Sequence, residues 1–209
     1  MQSRVAKLLK ALIPNDFPGL FRRRLRDLEL DEAAIQHFVS QPLGTLSLEF
    51  KDIFSSLPLS APMAILRTWS NGWFTTTRMH ESEVFPCIFG CDAHDSLHHY
   101  LRCEVLWTLI YSCTKCKYFV FSQSFDERTC ICNVSRSNCM RLFAAFSTYH
   151  SLRKLHSDIV SNAISSGDFE LVLEAALELI MHFAPGADMI GQDVILSCRH
   201  GALNSRLNQ

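Results

Sequence analysis

The chain has 209 residues, of which 48% are hydrophobic and 20% charged, a composition typical of a packed globular protein and unlike that of a disordered one. Its formal net charge of -1 excludes a whole-molecule attraction to nucleic acid, so any contact with RNA or DNA has to be local. The nine cysteines are an odd number, and no apolar run is long enough to span a membrane. We therefore expect an intracellular, reducing compartment, the nucleus or the cytoplasm, thiols that bind metal, and no membrane partner.

Residues 1–60 are predicted to form a basic helical arm or linker. Amphipathic patterns indicate short helices over 4–13, over 17–28, from the capping Asp31 to Val39, and near 45–56. Basic side chains outnumber acidic ones at the start of this arm: Arg4, Lys7, Lys10, Arg22, Arg23, Arg24 and Arg26 against Asp16, Asp27 and Glu29. Such a segment suits phosphate or an acidic partner, although a solvated helix face explains the same charges.

Residues 61–112 are predicted to hold a helix and a zinc knuckle. Pro62 suits the first turn of the helix, and Asn71-Gly72 is a strong stop signal after it. Beyond the cysteines, an apolar helix is expected to run continuously from Leu97 to Tyr111. The fold class that follows is mainly α, a helical domain with one small Cys-Cys-His-Cys knuckle.

The remaining residues are predicted to form a loop, a helical hairpin and a tail. Residues 113–136 are rich in β-branched, aromatic and polar residues, which allows a loop or a short hairpin near 117–134. The helical hairpin spans 137–195, with helices over 137–164 and 168–183 on either side of Ser165-Ser166-Gly167. Residues 196–209 are expected to be flexible.

The strongest chemical signal is a group of cysteines and histidines between Cys87 and Cys103. Cys87 and Cys91 form a Cys-x3-Cys pair, and a histidine and Cys103 follow within a dozen residues, which is the spacing of zinc ligands. Gly90 permits the positive φ that such a tight loop often needs. Four ligands leave no open position on the metal, so the site is expected to be structural and not hydrolytic. Buried free cysteines beside surface histidines are the alternative interpretation.

The identity of the histidine ligand is ambiguous in the sequence. Asp95 or Ser96 is placed to cap a helix that starts near Leu97. On one continuous helix, His99 and Cys103 are four residues apart and share a face, whereas His98 is five residues from Cys103. We therefore predict the metal ligands Cys87, Cys91, His99 and Cys103, with His98 as the alternative to His99.

The other cysteines give weaker signals. Cys113-x2-Cys116, with Cys130, Cys132 and Cys139 downstream, has the makings of a second zinc site, but no histidine supports it and buried free thiols are the preferred interpretation. A redox role for the Cys113 pair lacks the strand and helix that should flank it. No nucleophile and histidine pair can be nominated for a thiol protease.

The sequence from Leu66 to Cys103 resembles the zinc-binding segment that follows the polymerase in non-LTR retrotransposon reverse transcriptases. The likeness is carried by Leu66-Arg-Thr-Trp69-Ser-Asn-Gly-Trp73, the Cys-x3-Cys pair, Asp95-Ser-Leu-His-His-Tyr100 and Cys103. In that family an acidic residue four positions before the ligand histidine, here Asp95, points to His99. The family often leaves four residues between this histidine and the last cysteine, which would fit His98.

The resemblance implies a nucleic-acid-binding module without catalytic activity. It gives Arg67, Arg78 and Arg102 phosphate-contacting roles and Trp73 a packing or stacking role, whereas residue type alone makes the tryptophans core and the arginines solvated. The sequence has neither the consecutive aspartate pair of the polymerase nor the Pro-Asp signature of the associated endonuclease, so a carboxy-terminal piece of such an element is implied, not an enzyme.

Two functions are therefore in competition. The first is a zinc-stabilised module that binds RNA or DNA through local contacts. The second is a zinc-stapled helical domain that binds a protein partner through its carboxy-terminal helices, which the near-neutral charge and the acidic stretch from Asp168 to Glu178 favour.

Overall fold

The computed structural model of the chain describes residues 17–40, 53, 55, 57–80, 82–114, 128–131 and 135–183. Within these residues the protein is helical, with nine helices and no β-strand, which confirms the predicted fold class. The helices are α1 (Phe17–Arg26), α2 (Glu32–Ser40), α3 (Ser60–Trp69), α4 (Thr76–Met79), α5 (Leu97–Tyr100), α6 (Glu104–Cys113), α7 (Arg136–Leu155), α8 (Ser157–Ser166) and α9 (Glu170–Phe183). Four predicted segments lie wholly or largely outside the described residues: the helix over 4–13, the helix near 45–56, the optional hairpin and the tail. Ile53 and Ser55, in the second of these, are described and helical.

Several helix ends follow the predicted capping signals. The Asp31 carboxylate accepts a hydrogen bond from the backbone N–H of Ala34 at 3.2 Å, as an N-cap side chain should at the start of α2. Gly167 ends α8 with a φ of 75°, the left-handed conformation that glycine adopts without steric cost. Asn71, also at positive φ, leads the chain away from α3.

Two predicted helices are each divided in the structure. The expected helix from Leu97 to Tyr111 is wrong, because the chain leaves helical geometry between α5 and α6 and Cys103 has a ψ of 107°. The expected helix over 137–164 is wrong in the same way, since His156 has a φ of -123° and separates α7 from α8. In both cases an apolar pattern continues through the break, so periodicity alone could not place it.

Helix α7 lies at the centre of the packing. It contacts α3, α6, α8 and α9, and the buried side chains of all these helices belong to one hydrophobic cluster. Trp73 is completely buried in this cluster, stacked against Tyr100 at 6.2 Å and tilted against Tyr149 at 5.3 Å between ring centroids. Its indole N–H donates to the Thr68 hydroxyl at 2.9 Å, so Trp73 packs in the core and has no face free for stacking on a ligand.

Several charged side chains in the described part of the basic arm pair with one another. Arg26 donates two hydrogen bonds to Glu32, at 2.9 and 2.7 Å, and Arg24 lies 3.7 Å from Asp27. Arg22 donates to the Gln36 side chain at 3.1 Å. The Arg26–Glu32 and Arg22–Gln36 contacts hold α1 against α2. No helix among the described residues has the length and hydrophobicity needed to cross a membrane. The predicted domain boundaries stay predictions.

Candidate metal centre

Four side chains from the cysteine-rich segment converge on one point. The ligand atoms of Cys87, Cys91, His99 and Cys103 all lie within 4.8 Å of one another, and within the described residues this is the one such group that could hold a metal ion. The Cys103 sulfur lies 3.5 Å from that of Cys91 and 3.9 Å from that of Cys87. Because a disulfide brings sulfurs to about 2.05 Å, these are three separate thiols.

A short hairpin-like loop presents the first two cysteines. Pro86 pairs with His94 in an isolated antiparallel bridge, and the Cys87 N–H donates to the Ala93 carbonyl at 2.7 Å. Gly90 turns the chain between the two cysteines with a φ of 81°. A β-carbon added to Gly90 would lie 2.8 Å from the Phe169 ring, so glycine is required here both by the backbone conformation and by close packing.

His99 and Cys103 come from the two helices that replace the single predicted one. The Ser96 hydroxyl caps α5 by accepting from the His99 N–H at 3.2 Å, which places the imidazole in the first turn. Cys103 is the N-cap of α6, and its sulfur accepts from the Leu106 N–H at 3.5 Å. The same-face argument for His99 and Cys103 therefore does not apply, although the two side chains do meet.

His98 points away from the cluster. Its Nε2 lies 2.7 Å from a carboxylate oxygen of Glu29, in the turn that follows α1. The neighbouring Arg102 guanidinium contacts the carbonyls of Leu28 and Glu29 at 3.3 to 3.5 Å. His98 and Arg102 thus connect the metal-site segment to the amino-terminal helices, and the structure groups His99 with the cysteines.

The pKa values of the three clustered thiols are shifted by their surroundings. Burial raises the pKa of the Cys87 thiol, and burial together with hydrogen bonds to the other two thiols raises that of Cys103. Hydrogen bonds from Cys103 and Cys87, with a smaller contribution from the adjacent His99, lower the pKa of Cys91. Two of the three thiols thus hold their protons while the third is favoured as a thiolate, and a bound cation would stabilise all three as thiolates.

Backbone amides also face the sulfurs. The Phe89 N–H donates to the Cys87 sulfur at 3.4 Å, beside the bond from Leu106 to Cys103. Amide donors directed at thiolates orient metal ligands and stabilise their negative charge. The His99 Nε2 atom is buried and makes no hydrogen bond of acceptable geometry, which is costly unless a ligand binds it.

Asp95 joins the cysteine-rich segment to neighbouring helices, a role that the sequence did not reveal. It is fully buried, and its carboxylate accepts hydrogen bonds from the Thr76 N–H at 2.6 Å, the Tyr100 hydroxyl at 2.6 Å and the Tyr149 hydroxyl at 2.9 Å. These donors come from α4, α5 and α7. The sequence suggested a helix cap at this position, but Ser96 is the cap and Asp95 joins three elements.

The arginines predicted to contact phosphate differ in their surroundings. Arg67 and Arg78 are exposed, and neither forms an ion pair with a described carboxylate. Arg67 lies over the Phe146 ring, with its Cζ 5.8 Å from the centroid. Arg102 has its donors directed at protein carbonyls, as described above. Only the first two therefore keep guanidinium groups available to a ligand.

The other described cysteines are buried in the core. Cys113, Cys130 and Cys139 are at most 3% exposed, and burial raises the pKa of Cys113 to about 11. Cys116 and Cys132 lie outside the described residues. All six described cysteines are free thiols.

Comparisons of the chain with protein-family models, with curated proteins and with solved structures give no significant match. The geometry of the chain itself is therefore what bears on its function.

Proposed function

We propose that the chain is a non-catalytic, intracellular module whose fold is stabilised by one structural zinc ion, and that it binds nucleic acid through local contacts. The observation that carries the zinc assignment is the convergence of three sulfurs and one imidazole within 4.8 Å. Cys87, Cys91, His99 and Cys103 would hold the ion. Zinc is the divalent metal most often found with this closed set of ligands.

Two of the sulfur separations are close to those around a tetrahedral zinc ion. A tetrahedral ion with zinc–sulfur bonds of about 2.3 Å separates its sulfurs by about 3.8 Å. The separations of 3.5 and 3.9 Å from Cys103 to the other two sulfurs lie on either side of that value. The unpartnered His99 Nε2 supplies the nitrogen donor. Because all four positions are filled by protein, the bound ion would contribute folding free energy and would not activate water.

Adjacent histidine variants give the sharpest test of this assignment. The full chain is purified with His99→Gln, His98→Gln, Cys103→Ser and Cys113→Ser variants, and zinc per chain is measured by elemental analysis. We expect one zinc in the wild type, His98→Gln and Cys113→Ser proteins, and loss of tight binding in His99→Gln and Cys103→Ser. Cys113 is the matched control because it is a buried thiol outside the cluster. Zinc retained by His99→Gln but lost by His98→Gln would contradict the ligand set.

The nucleic-acid part of the proposal is supported by unpaired positive charge. Arg67 and Arg78 are exposed and lack a described carboxylate partner, whereas the described ion pairs of the basic arm neutralise Arg24 and Arg26. Arginine guanidinium groups bind phosphate oxygens in bidentate fashion. The resemblance of the Leu66–Cys103 segment to the zinc-binding part of retrotransposon reverse transcriptases points the same way.

Binding is tested by fluorescence anisotropy of zinc-loaded protein with labelled single-stranded RNA, single-stranded DNA and duplex DNA over a range of salt. We expect an affinity that falls with salt, at about 0.7 in log K per log salt for each phosphate contact on a single strand. No binding to any of the three at low salt would contradict this part of the proposal while leaving the zinc assignment intact.

Protein interaction is the second candidate function, and exposed groups near the carboxy-terminal helices favour it. Leu155 at the end of α7 is 68% exposed, and Leu171 in α9 is 62% exposed beside the exposed Glu174. An apolar side chain bordered by carboxylates suits a basic amphipathic partner. Zinc binding without nucleic-acid binding would favour this function.

A further inference from the structure

One face of α7 carries a row of partly exposed side chains. Phe146, His150 and Arg153 follow one another at intervals of four and three residues, which places them on the same side of the helix. Phe74, from the segment after α3, lies edge-on to His150 with 5.5 Å between ring centroids. Arg67 covers the Phe146 ring from α3. We call these five residues the aromatic–arginine surface.

The two arginines of this surface lie over aromatic rings, Arg67 over Phe146 and Arg153 over Phe85 with its Cζ 5.6 Å from the centroid, but their N–H groups are not used by described residues. Neither the Arg67 nor the Arg153 guanidinium forms a hydrogen bond or an ion pair with a described residue. Arg128 shows the contrast, because it also lies over an aromatic ring, that of Trp107 at 5.2 Å, but it donates a hydrogen bond to the Leu101 carbonyl. Each unoccupied guanidinium keeps five N–H donors for an external anion.

The rings between these arginines are uncharged and held in place. Burial, followed by the positive charges of Arg67 and Arg153, lowers the pKa of His150 to about 4, so its imidazole is a neutral ring at pH 7. The centroids of the Phe146 and His150 rings are 4.2 Å apart. Phe74 is 50% exposed. Its carbonyl oxygen lies 3.1 Å from the Tyr149 hydroxyl oxygen, which also lies 2.9 Å from the Asp95 carboxylate and has a single hydrogen for both acceptors, and this contact keeps the loop next to α7.

We propose that the aromatic–arginine surface binds single-stranded nucleic acid, with a base stacked on Phe74 and phosphates at Arg67 and Arg153. This inference rests on the proposed nucleic-acid binding and assigns that binding to one surface of the protein. Half-exposed rings beside unpaired guanidinium groups are what single-strand binding uses, because every base has a flat face and every nucleotide a negative charge. Bases of a duplex are stacked on one another and cannot reach Phe74, so single strands are preferred. An acidic peptide would use the arginines but would leave the ring unoccupied.

The test compares variants of the full zinc-loaded chain for binding to a fluorescein-labelled 12-nucleotide oligouridylate. Phe74→Leu keeps an apolar side chain but removes the ring, and we expect affinity to fall about 5- to 100-fold, the loss typical of one stacked base. Arg67→Gln combined with Arg153→Gln should reduce the slope of log K against log salt by about 1.4, since each single-strand phosphate contact contributes about 0.7. Equal melting temperature and zinc content show that the variants fold.

Arg136→Gln is the matched control. Arg136 is exposed and lies at the opposite end of α7, about 26 Å from Arg153 at ~1.5 Å per residue, so its loss should leave both affinity and slope unchanged. If the wild type binds the oligouridylate and both Phe74→Leu and the double arginine variant bind it equally well, the assignment to this surface is wrong and nucleic-acid binding occurs elsewhere. If the wild type binds no nucleic acid but binds an acidic peptide through Arg67 and Arg153, the surface serves a protein partner and the inference is overturned.

Discussion

Replacement of Asp95 by asparagine tests the role of the carboxylate that joins the metal-site segment to α4 and α7. Asp95 is 0% exposed and accepts three hydrogen bonds, from Thr76 N–H and from the hydroxyls of Tyr100 and Tyr149. An asparagine has one oxygen and one NH2 group, so its nitrogen must face either the Thr76 N–H or the tyrosine hydroxyls. At least one charge-assisted hydrogen bond is lost, and a buried donor then has no acceptor.

The expected cost follows from those contacts. A hydrogen bond to a charged group contributes about 1.5 to 3 kcal/mol, and leaving a buried donor unsatisfied costs about 1 to 3 kcal/mol. Because the two terms overlap and the site can relax, we expect Asp95→Asn to lower the free energy of unfolding by about 2 to 4 kcal/mol. Tyr149→Phe removes one donor and leaves the carboxylate with two, so it should cost about 1 kcal/mol.

Urea denaturation in excess zinc measures both values, and the double variant completes a cycle. Zinc is held at one concentration in excess, and the zinc affinity of each variant is measured alongside, because a weakened site lowers the free energy of unfolding even when it is filled and that part must be subtracted. The cycle should show a coupling of about 1 kcal/mol between Asp95 and Tyr149, which touch directly at 2.9 Å. An Asp95→Asn protein within about 0.5 kcal/mol of the wild type, at an unchanged denaturant slope, would refute the view that this carboxylate joins the three helices.

Two further changes address the knuckle and the surface beside it. Gly90→Ala should destabilise the protein by more than about 1 kcal/mol and weaken zinc binding in a metal-competition titration. The reason is that φ is 81° at this position and the new β-carbon would lie 2.8 Å from the Phe169 ring. Adding Phe169→Ala to the Gly90→Ala protein should restore part of the zinc affinity. His150, whose pKa is lowered to about 4, is neutral when folded, so the unfolded chain binds more protons and stability falls as pH decreases from about 6.5 to 4. The full shift corresponds to about 3 kcal/mol, which partial solvent exposure reduces to about 1 to 2 kcal/mol. The interval from pH 7 to pH 5 covers about half of this loss, so the wild type should lose about 0.5 to 1 kcal/mol more stability over it than His150→Gln, and parallel pH profiles would contradict the assignment.

The parts of the structure that could be predicted are those fixed by local chemistry. The start of α2 at the Asp31 cap and the end of α8 at Gly167 follow from single residues that satisfy backbone groups or adopt positive φ. The cysteine spacing predicted a cluster because a metal loop needs its ligands close in sequence. The choice of histidine was open in the sequence; tertiary contacts place His99 beside the cysteines, whereas His98 faces Glu29 from the amino-terminal helices.

Long-range contacts could not be predicted from the same patterns. The buried role of Asp95 depends on Tyr149, which is 54 residues away in the chain. The break before Cys103 is concealed by apolar residues on both sides of it, and the predicted same-face geometry was therefore wrong even though the two ligands meet. The neighbourhood of Phe74 and His150 likewise arises only when α7 packs against α3.

The most direct test of the central claim is the zinc X-ray absorption spectrum of the purified full chain. A closed site is expected, with three sulfur ligands at about 2.3 Å and one nitrogen ligand at about 2.0 to 2.1 Å. His99→Gln, measured in added zinc because it should bind the metal weakly, should lack the outer-shell scattering of an imidazole ring. A wild-type spectrum with fewer than three sulfur ligands or with a bound water in the fourth position, or imidazole scattering that persists in His99→Gln, would contradict the proposed ligand set.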